Sequence, residues 1–409
     1  MKKALRVTLG ILTAIGGFVD IGDLVANAES GARFKLGLAW VVVLGVGGIV
    51  VFAEMAGRVA AVSSRPVFSL VRERLGPAFG LANLVASLFI NFLTLAAEVA
   101  GVAIALSMAA SVHYILMVPL AGAVVWVVIW RLPFEQMERL FGLLGLALLA
   151  FVIALVKLGP NWGNLFSQAA HPAVPQEETP FTYAYFAIAL FGAAMTPYEV
   201  FFFSSGAVEE KWAVQDLAIN RANVYIGFPL GGILSLAIMA LATLVFAPAS
   251  ISVDALPQVA LPVAVAAGKV ALACVIVGIF AATFGAALET ALSAGYCVAQ
   301  YFGWQWGKYV RPRDASRFHL VALVFLLLGV LVIMTGVDPV KVTEYSIVLS
   351  AAALPLTYFP ILVVANDRDY MGEHRNGPVL NFVATIYLFI IVVIAVATIP
   401  LMVITKGGA

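Results

Sequence analysis

Gly16-Gly17-Phe18-Val19-Asp20-Ile21-Gly22-Asp23 interrupts the first hydrophobic segment of the chain with two carboxylates and three glycines. An aspartate at bilayer depth is expensive, so it faces a cavity, a partner charge or a bound cation. If the segment is helical, Asp20 and Asp23 share one face. Two like charges that close repel: either one is protonated, or something positive sits between them, and a divalent cation answers both carboxylates at once. A second interruption, Gly192-Ala193-Ala194-Met195-Thr196-Pro197-Tyr198-Glu199, falls inside the apolar stretch 183–207. Pro197 removes a backbone donor there and stops or kinks a helix.

With 409 residues, 63% of them hydrophobic and 11% charged, and a mean hydropathy of +1.04, the chain is read as a polytopic membrane protein whose surroundings are the lipid bilayer. The net charge of +1 makes no case for a nucleic-acid partner, and no obligatory protein partner is inferred. Cys274 and Cys297 give neither a disulfide framework nor a metal cluster. They read as two buried apolar thiols on one long helix. The first 28 residues have the outline of a signal peptide, with Ala26-Asn27-Ala28 as a formal cleavage site, but Asp20 and Asp23 between the apolar run and that site argue against it.

Eleven apolar stretches are long enough to span a bilayer: near 6–29 (broken), 36–59, 78–109, 113–130, 139–158, 183–207 (broken), 220–246, 263–302, 318–336, 343–365 and 379–402. Placing the N-terminus in the cytoplasm puts the loops with Arg65, Arg72 and Arg74, with Arg131 and Arg139, with Lys211, with Lys308, Arg311 and Arg313, and with Arg368 and Arg375 inside, as the positive-inside rule requires. Arg33, Lys35, Lys157, Lys269, Lys341 and Lys406 then lie outside or at the outer boundary, and so does the C-terminus. The expected fold is all-α: a first five-helix repeat over about 4–158, a linker over 159–182, a second repeat of opposite orientation over about 183–365, and an extra helix near 379–402. Broken helices one and six, in equivalent places, mark the substrate site of an inverted-repeat transporter. The linker, with Pro160, Pro172, Pro175 and Pro180, reads as a turn-rich passive connector.

The motifs resemble the natural resistance-associated macrophage protein (NRAMP) family of metal transporters, which have the leucine-transporter fold. Asp20-Ile21-Gly22-Asp23 is similar to the family's first-helix Asp-Pro-Gly-Asn, with Gly31 and Phe34 in register beyond it. Thr196-Pro197-Tyr198-Glu199 is similar to its sixth-helix Met-Pro-His-Asn, Ala97-Glu98-Val99-Ala100-Gly101 to its third-helix Ala-Glu-Val-Ile-Gly, and 367–373 to the loop before its eleventh helix. The resemblance covers essentially the whole chain. It implies a metal site of Asp20, Asp23, the carbonyl of Ala193 and the position of Thr196, with helix breaks at Gly22 and Pro197.

The departures from the family pattern point to the cargo. Asp23 stands for an asparagine and Thr196 for the methionine whose thioether contacts the metal, which turns a mixed site into an all-oxygen one. Oxygen-only sites suit Mg2+, Ca2+ or Mn2+, and Mg2+ keeps several waters and needs few protein ligands. The nearest likeness is to the bacterial NRAMP-related magnesium transporters. Tyr198 and Phe203 replace histidines of the family's proton route and Leu95 an aspartate, leaving Glu98, with Glu199 beside the break as a further relay or ion-path group. The expectation is a divalent cation importer taking Mg2+ and also Mn2+, uncoupled from protons, with the ion as substrate and no cofactor. A proton-coupled Mn2+/Fe2+ symporter is the alternative, and a sodium-coupled organic-substrate carrier a more distant one, because Asp20 and Asp23 would repel an anionic substrate. His113, His171, His319 and His374 form no catalytic spacing, so an enzyme is not expected. Glu54 and Arg58 read as an intrahelical pair, Glu289 and Glu344 as single acids with no assigned role, Asn27 as a helix-terminus hydrogen bonder, and the glycines of spans two and seven as close-packing positions.

Overall fold

The computed structural model describes residues 10–11, 17–132 and 134–408. Most of the opening half of the first span, with Gly16, lies outside the described residues. Among those described there is no strand. The long helices are α1 (Ile21–Phe34), α2 (Ala39–Ser63), α3 (Pro77–Ala110), α4 (Tyr114–Arg131), α5 (Phe134–Gly145), α6 (Leu149–Lys157), α7 (Pro180–Ala194), α8 (Pro197–Glu209), α9 (Phe228–Val245), α10 (Leu261–Phe302), α11 (Ser316–Met334), α12 (Pro339–Asn366) and α13 (Pro378–Ile404). Ten stretches among the described residues are long and apolar enough to cross a membrane. The first of them, Ile21–Ser63, contains both α1 and α2, joined by a 3-10 turn at Lys35–Leu38. A straight helix as long as α10 would overshoot the hydrocarbon core, and Gly268, at φ 78°, bends it near its start.

Both interruptions are real, but their sites differ from expectation. Gly22 is not a break: it is the second residue of α1, and the chain is extended at Asp20 (φ −98°, ψ −175°). Glycine is needed at Gly22 for packing instead, since a Cβ there would lie 2.6 Å from Ile347 Cγ2 on α12. The second break falls at Met195–Thr196, and Pro197 is the first residue of α8, a position where its fixed φ and missing N–H are tolerated. Proline therefore opens the second half-helix.

Small residues let the helices around the two breaks approach closely, the packing mode of membrane interiors. A Cβ on Gly45 of α2 would sit 2.5 Å from Ala194 Cβ, and one on Gly48 2.5 Å from the Met195 sulfur. Gly192 of α7 would meet the Ile347 carbonyl at 2.3 Å, and Gly31 of α1 the Met239 carbonyl at 2.2 Å. Thr243 of α9 donates to the Gly31 carbonyl at 3.2 Å, adding a polar bond to that seam. Cys297 is buried as expected, but Cys274 is exposed. It shares an outward stripe of α10 with the exposed Val270 and Val277, which the all-apolar sequence there does not distinguish from an inward one.

The two ends of the bundle are tied differently. At one, Arg33 of α1 donates to Glu178 through Nε (2.7 Å) and Nη2 (3.1 Å) and to the Gly408 carbonyl through Nη1 (2.7 Å). The segment 159–182 is thus more than a passive connector: it carries a helix, Trp162–Ala170, and supplies this clamp. At the other end Arg58 pairs with Glu54 at 3.1 Å and also reaches the His374 carbonyl and Asn376. Arg74 meets Asp367 at 2.6 Å, and Arg72 and Lys308 donate to the carbonyls of Tyr301 and Ile129. The Arg65 hydrogen bond holds the Glu73 carboxyl below its ordinary range, but both groups are open to solvent and the pair adds little.

The tight α1–α9 seam yields a first expectation. Gly31→Ala should destabilise the protein by about 1–3 kcal/mol through overpacking, seen as a lower temperature of half-unfolding in detergent. Gly163→Ala, whose Cβ meets nothing closer than 3.4 Å, should leave that temperature unchanged.

Candidate functional site

The site begins with a requirement of the backbone. A helix that starts inside a bilayer leaves its first N–H groups without partners, and no water is at hand to take them. Asp20 answers as N-cap, its Oδ1 accepting from the Asp23 N–H at 2.8 Å. Glu98, from the middle of α3, accepts from the Ile21 N–H through Oε1 at 3.2 Å. Both carboxylates thus sit at the positive end of α1, where the helix dipole favours them. The other oxygen of Asp20, Oδ2, accepts from the Tyr198 hydroxyl of α8 at 3.2 Å, and that hydroxyl also lies 3.3 Å from the Gly17 carbonyl. One tyrosine therefore bridges the two broken helices.

Asp23 is drawn elsewhere. Its Oδ2 accepts from Ser235 of α9 at 2.6 Å and its Oδ1 from Asn27 at 2.9 Å. The two aspartates are both buried, yet they do not present a matched pair on one helical face. Asp20 occupies extended backbone as a cap, so the periodicity that would align them starts one residue after it.

The second break contributes oxygen of a different kind. The carbonyl of Ala193, in the last turn of α7, has Pro197 four residues on, and proline has no N–H to give it. The hydroxyl of Thr196 donates to Glu199 Oε2 at 3.2 Å. Met195 keeps its thioether packed on Gly48 of α2. Ser293 of α10 donates to the Tyr198 carbonyl at 3.3 Å and so fixes the start of α8 against α10. The structure therefore brings Asp20, Tyr198 and Glu98 together at the head of α1, and Thr196 with Glu199 at the head of α8. Asp23 is held on the α9 side.

Two participants were not assigned from the sequence. Ser235 carries no signal of its own in an apolar helix. Glu289 did have one, a lone acid in a membrane span: its carboxylate reaches the same neighbourhood as Glu199, beside Gly17. Among the described residues no group of three or more His, Cys, Asp or Glu side chains could hold a metal ion. A cation bound here has to draw on backbone carbonyl, hydroxyl and water oxygen besides carboxylate.

Over residues 10–400 the chain matches the family model described as natural resistance-associated macrophage protein-like. The chain belongs to the Nramp family. It is a multi-pass membrane transporter and not an enzyme, as the resemblance of its motifs implied. The protein named divalent metal cation transporter MntH of Aeromonas hydrophila subsp. hydrophila is 24% identical to it over 388 residues, covering 92% of this chain and 91% of the relative. A manganese transporter from Eremococcus coleocola, seen in the crystal structure of a mutant, superposes with a TM-score of 0.78 at 16% identity, over 95% of this chain and 85% of the other. A nucleobase-cation-symport-1 family transporter in a closed conformation superposes with a TM-score of 0.64 at 14% identity, covering 97% and 90%. At such identities the structures establish the fold alone, the all-helical fold of Nramp and leucine-transporter-type transporters.

If Asp23 acts on a cation while oriented by Ser235, then Ser235→Ala should weaken Mn2+ binding roughly tenfold, as removal of a ligand's hydrogen-bond partner does. Calorimetric titration of the purified Nramp protein measures this. An unchanged affinity would make the Asp23–Ser235 bond a structural tie only.

Proposed function

We propose that this Nramp protein imports Mg2+, accepts Mn2+ as well, and moves neither with protons. The observation that carries the reading is the oxygen in place of sulfur at position 196, the N-cap of the second half-helix. Thr196 offers a hydroxyl where the family motif has a methionine, and the thioether of the preceding Met195 is packed on Gly48. Carboxylate, carbonyl, hydroxyl and water favour hard cations over thiophilic transition metals. The bounded number of carboxylates suits an ion that keeps part of its hydration shell.

The uncoupled transport rests on three positions. Tyr198 uses its hydroxyl to bridge Asp20 and Gly17 where a titratable imidazole would stand. Phe203 packs edge-on against Trp212, and Leu95 is fully buried in the core. Glu98 has a structural duty as acceptor for α1. Without a proton gradient the membrane potential still drives a cation inward, by about 2.3 kcal/mol per charge per 100 mV.

In this reading the N-terminus is cytoplasmic and the C-terminus outside, in the cytoplasmic membrane. A partly hydrated ion arrives from the side of the Arg33–Glu178 clamp and is held by Asp20, Asp23, the Ala193 carbonyl and Thr196. It leaves inward as one helix group rocks against the other.

Uptake into proteoliposomes, followed with Mg2+ and Mn2+ dyes and an internal pH dye, tests the proposal. Mg2+ uptake without acidification, abolished in Asp20→Ala, is the expected result. Mn2+ uptake with acidification and no Mg2+ uptake would overturn it. Thr196→Met should shift preference toward Mn2+ and Cd2+ and away from Mg2+, because it restores a soft ligand at the break.

A further inference from the structure

Glu289 lies near the middle of α10, nine-tenths buried, and takes no hydrogen bond from any described residue. Its carboxylate is not isolated. A Cβ built on Gly17 would lie 2.8 Å from Glu289 Oε2 and 3.0 Å from Glu199 Oε1, so carboxylate oxygens from α10 and α8 converge on one point beside the first break. Only a residue without a side chain leaves that point open.

Two like charges converging in a membrane interior need compensation, and no cation supplies it among the described residues. The charges acting on Glu98, Glu199 and Glu289 come from one another and from Asp20, with no Lys, Arg or His among them. A separate feature points to a ligand. Glu98 spends Oε1 on the Ile21 N–H, while its Oε2 is fully buried and has no hydrogen-bond partner, and the carboxylate interacts electrostatically with Glu289 as well as Asp20. A buried orphan oxygen is costly unless something donates or coordinates to it.

We infer that Glu199 and Glu289 form a second cation station beside Gly17, displaced from Asp20 toward the N-terminal side of the break, and that its ligand is a hydrated divalent cation. The inference rests on the Mg2+ reading above and adds to it a residue and a position. Because the described side chains enclose no three-acid metal site, the ion there keeps its water. The Glu199 and Glu289 carboxylates accept hydrogen bonds from that water, which is how Mg2+ is commonly held with few direct protein ligands. Gly17 precedes Asp20 in the chain and Glu199 follows Thr196, so the station lies where an ion leaving Asp20 past the start of α8 would pass.

The test uses the full chain in proteoliposomes under a fixed membrane potential, with Mg2+ as the transported probe and an internal pH dye. Glu289→Gln should raise the KM for Mg2+ roughly tenfold, the size expected for losing an outer-shell contact, while Glu289→Asp should recover most of the loss. Gly17→Ala, which adds a methyl 2.8 Å from Glu289 Oε2, should impair uptake in the same way and serves if the glutamine variant does not fold. Wild-type KM in Glu289→Gln or in Gly17→Ala would overturn the station. So would a Glu289→Gln variant that loses only acidification, which would make the pair a proton carrier. If wild-type protein carries Mg2+ and the variants match it, the station fails and the Mg2+ reading stands. If wild-type protein carries no Mg2+, the reading fails and takes the station with it.

Discussion

A helix that begins in the middle of a bilayer has to find acceptors for its own N–H groups, and α1 finds them in two carboxylates. An unsatisfied backbone group in hydrocarbon costs several kcal/mol, while a hydrogen bond to a charged acceptor contributes about 1.5–3 kcal/mol. Asp20 and Glu98 therefore have a structural reason to be where they are before any ion is considered. Much of the surrounding packing follows. Glu98 fixes the register of α3 on α1, Tyr198 fixes α8 on Asp20, and the glycines at positions 22, 31 and 101 let α12, α9 and α10 close around the break.

The same devices create the electrostatics of the site. The starts of α1 and α8 both face the gap, and two positive helix ends would by themselves favour an anion. The carboxyl groups of Asp20, Glu98, Glu199 and Glu289 line that gap instead with oxygen that can accept from an N–H or meet a cation. Arg33, Arg58 and Arg74 are engaged elsewhere, in the Arg33–Glu178 clamp and in the pairs with Glu54 and Asp367. The interior is left with carboxyl groups and no described basic partner for them, and with oxygen as its donor type. That combination disfavours anionic substrates and suits a divalent cation that keeps part of its water.

The two breaks were legible because membrane spans carry few charges, glycines together with carboxylates or a proline. Their exact mechanics were not. Helical periodicity assigns Asp20 and Asp23 to one face, but a capping residue is not in helical register, and a hydrogen bond from Ser235, 212 positions away, leaves no mark on the local pattern. Gly22 looked like a hinge because glycine permits many conformations; its helical φ/ψ and its contact with Ile347 show a residue chosen for lack of bulk. Glu289 was visible as an unusual acid, but its partner Glu199 and the glycine between them come from three separate helices. Cys274 was misplaced because lipid-facing and core-facing stripes are both apolar in such a chain, so burial has no compositional signature.

The hydrogen bonds around the break also differ in how replaceable they are. Asp23 is tied to α9 through Ser235 at 2.6 Å, and that same helix holds α1 through Gly31 and Thr243, so α1 and α9 behave as one unit. The Tyr198–Asp20 bond at 3.2 Å is longer and crosses to α8. A cation arriving at Asp20 competes with the tyrosine hydroxyl for Oδ2, since a carboxylate oxygen turned toward a divalent ion has less to offer a neutral donor. Ion binding in the Mg2+ reading therefore loosens the bridge between the two broken helices and leaves the α1–α9 seam intact. In that reading motion follows the weaker contact: α8, tied to α10 through Ser293, would shift relative to α1 when the ion is present, and occupancy would be coupled to the rocking of one helix group against the other.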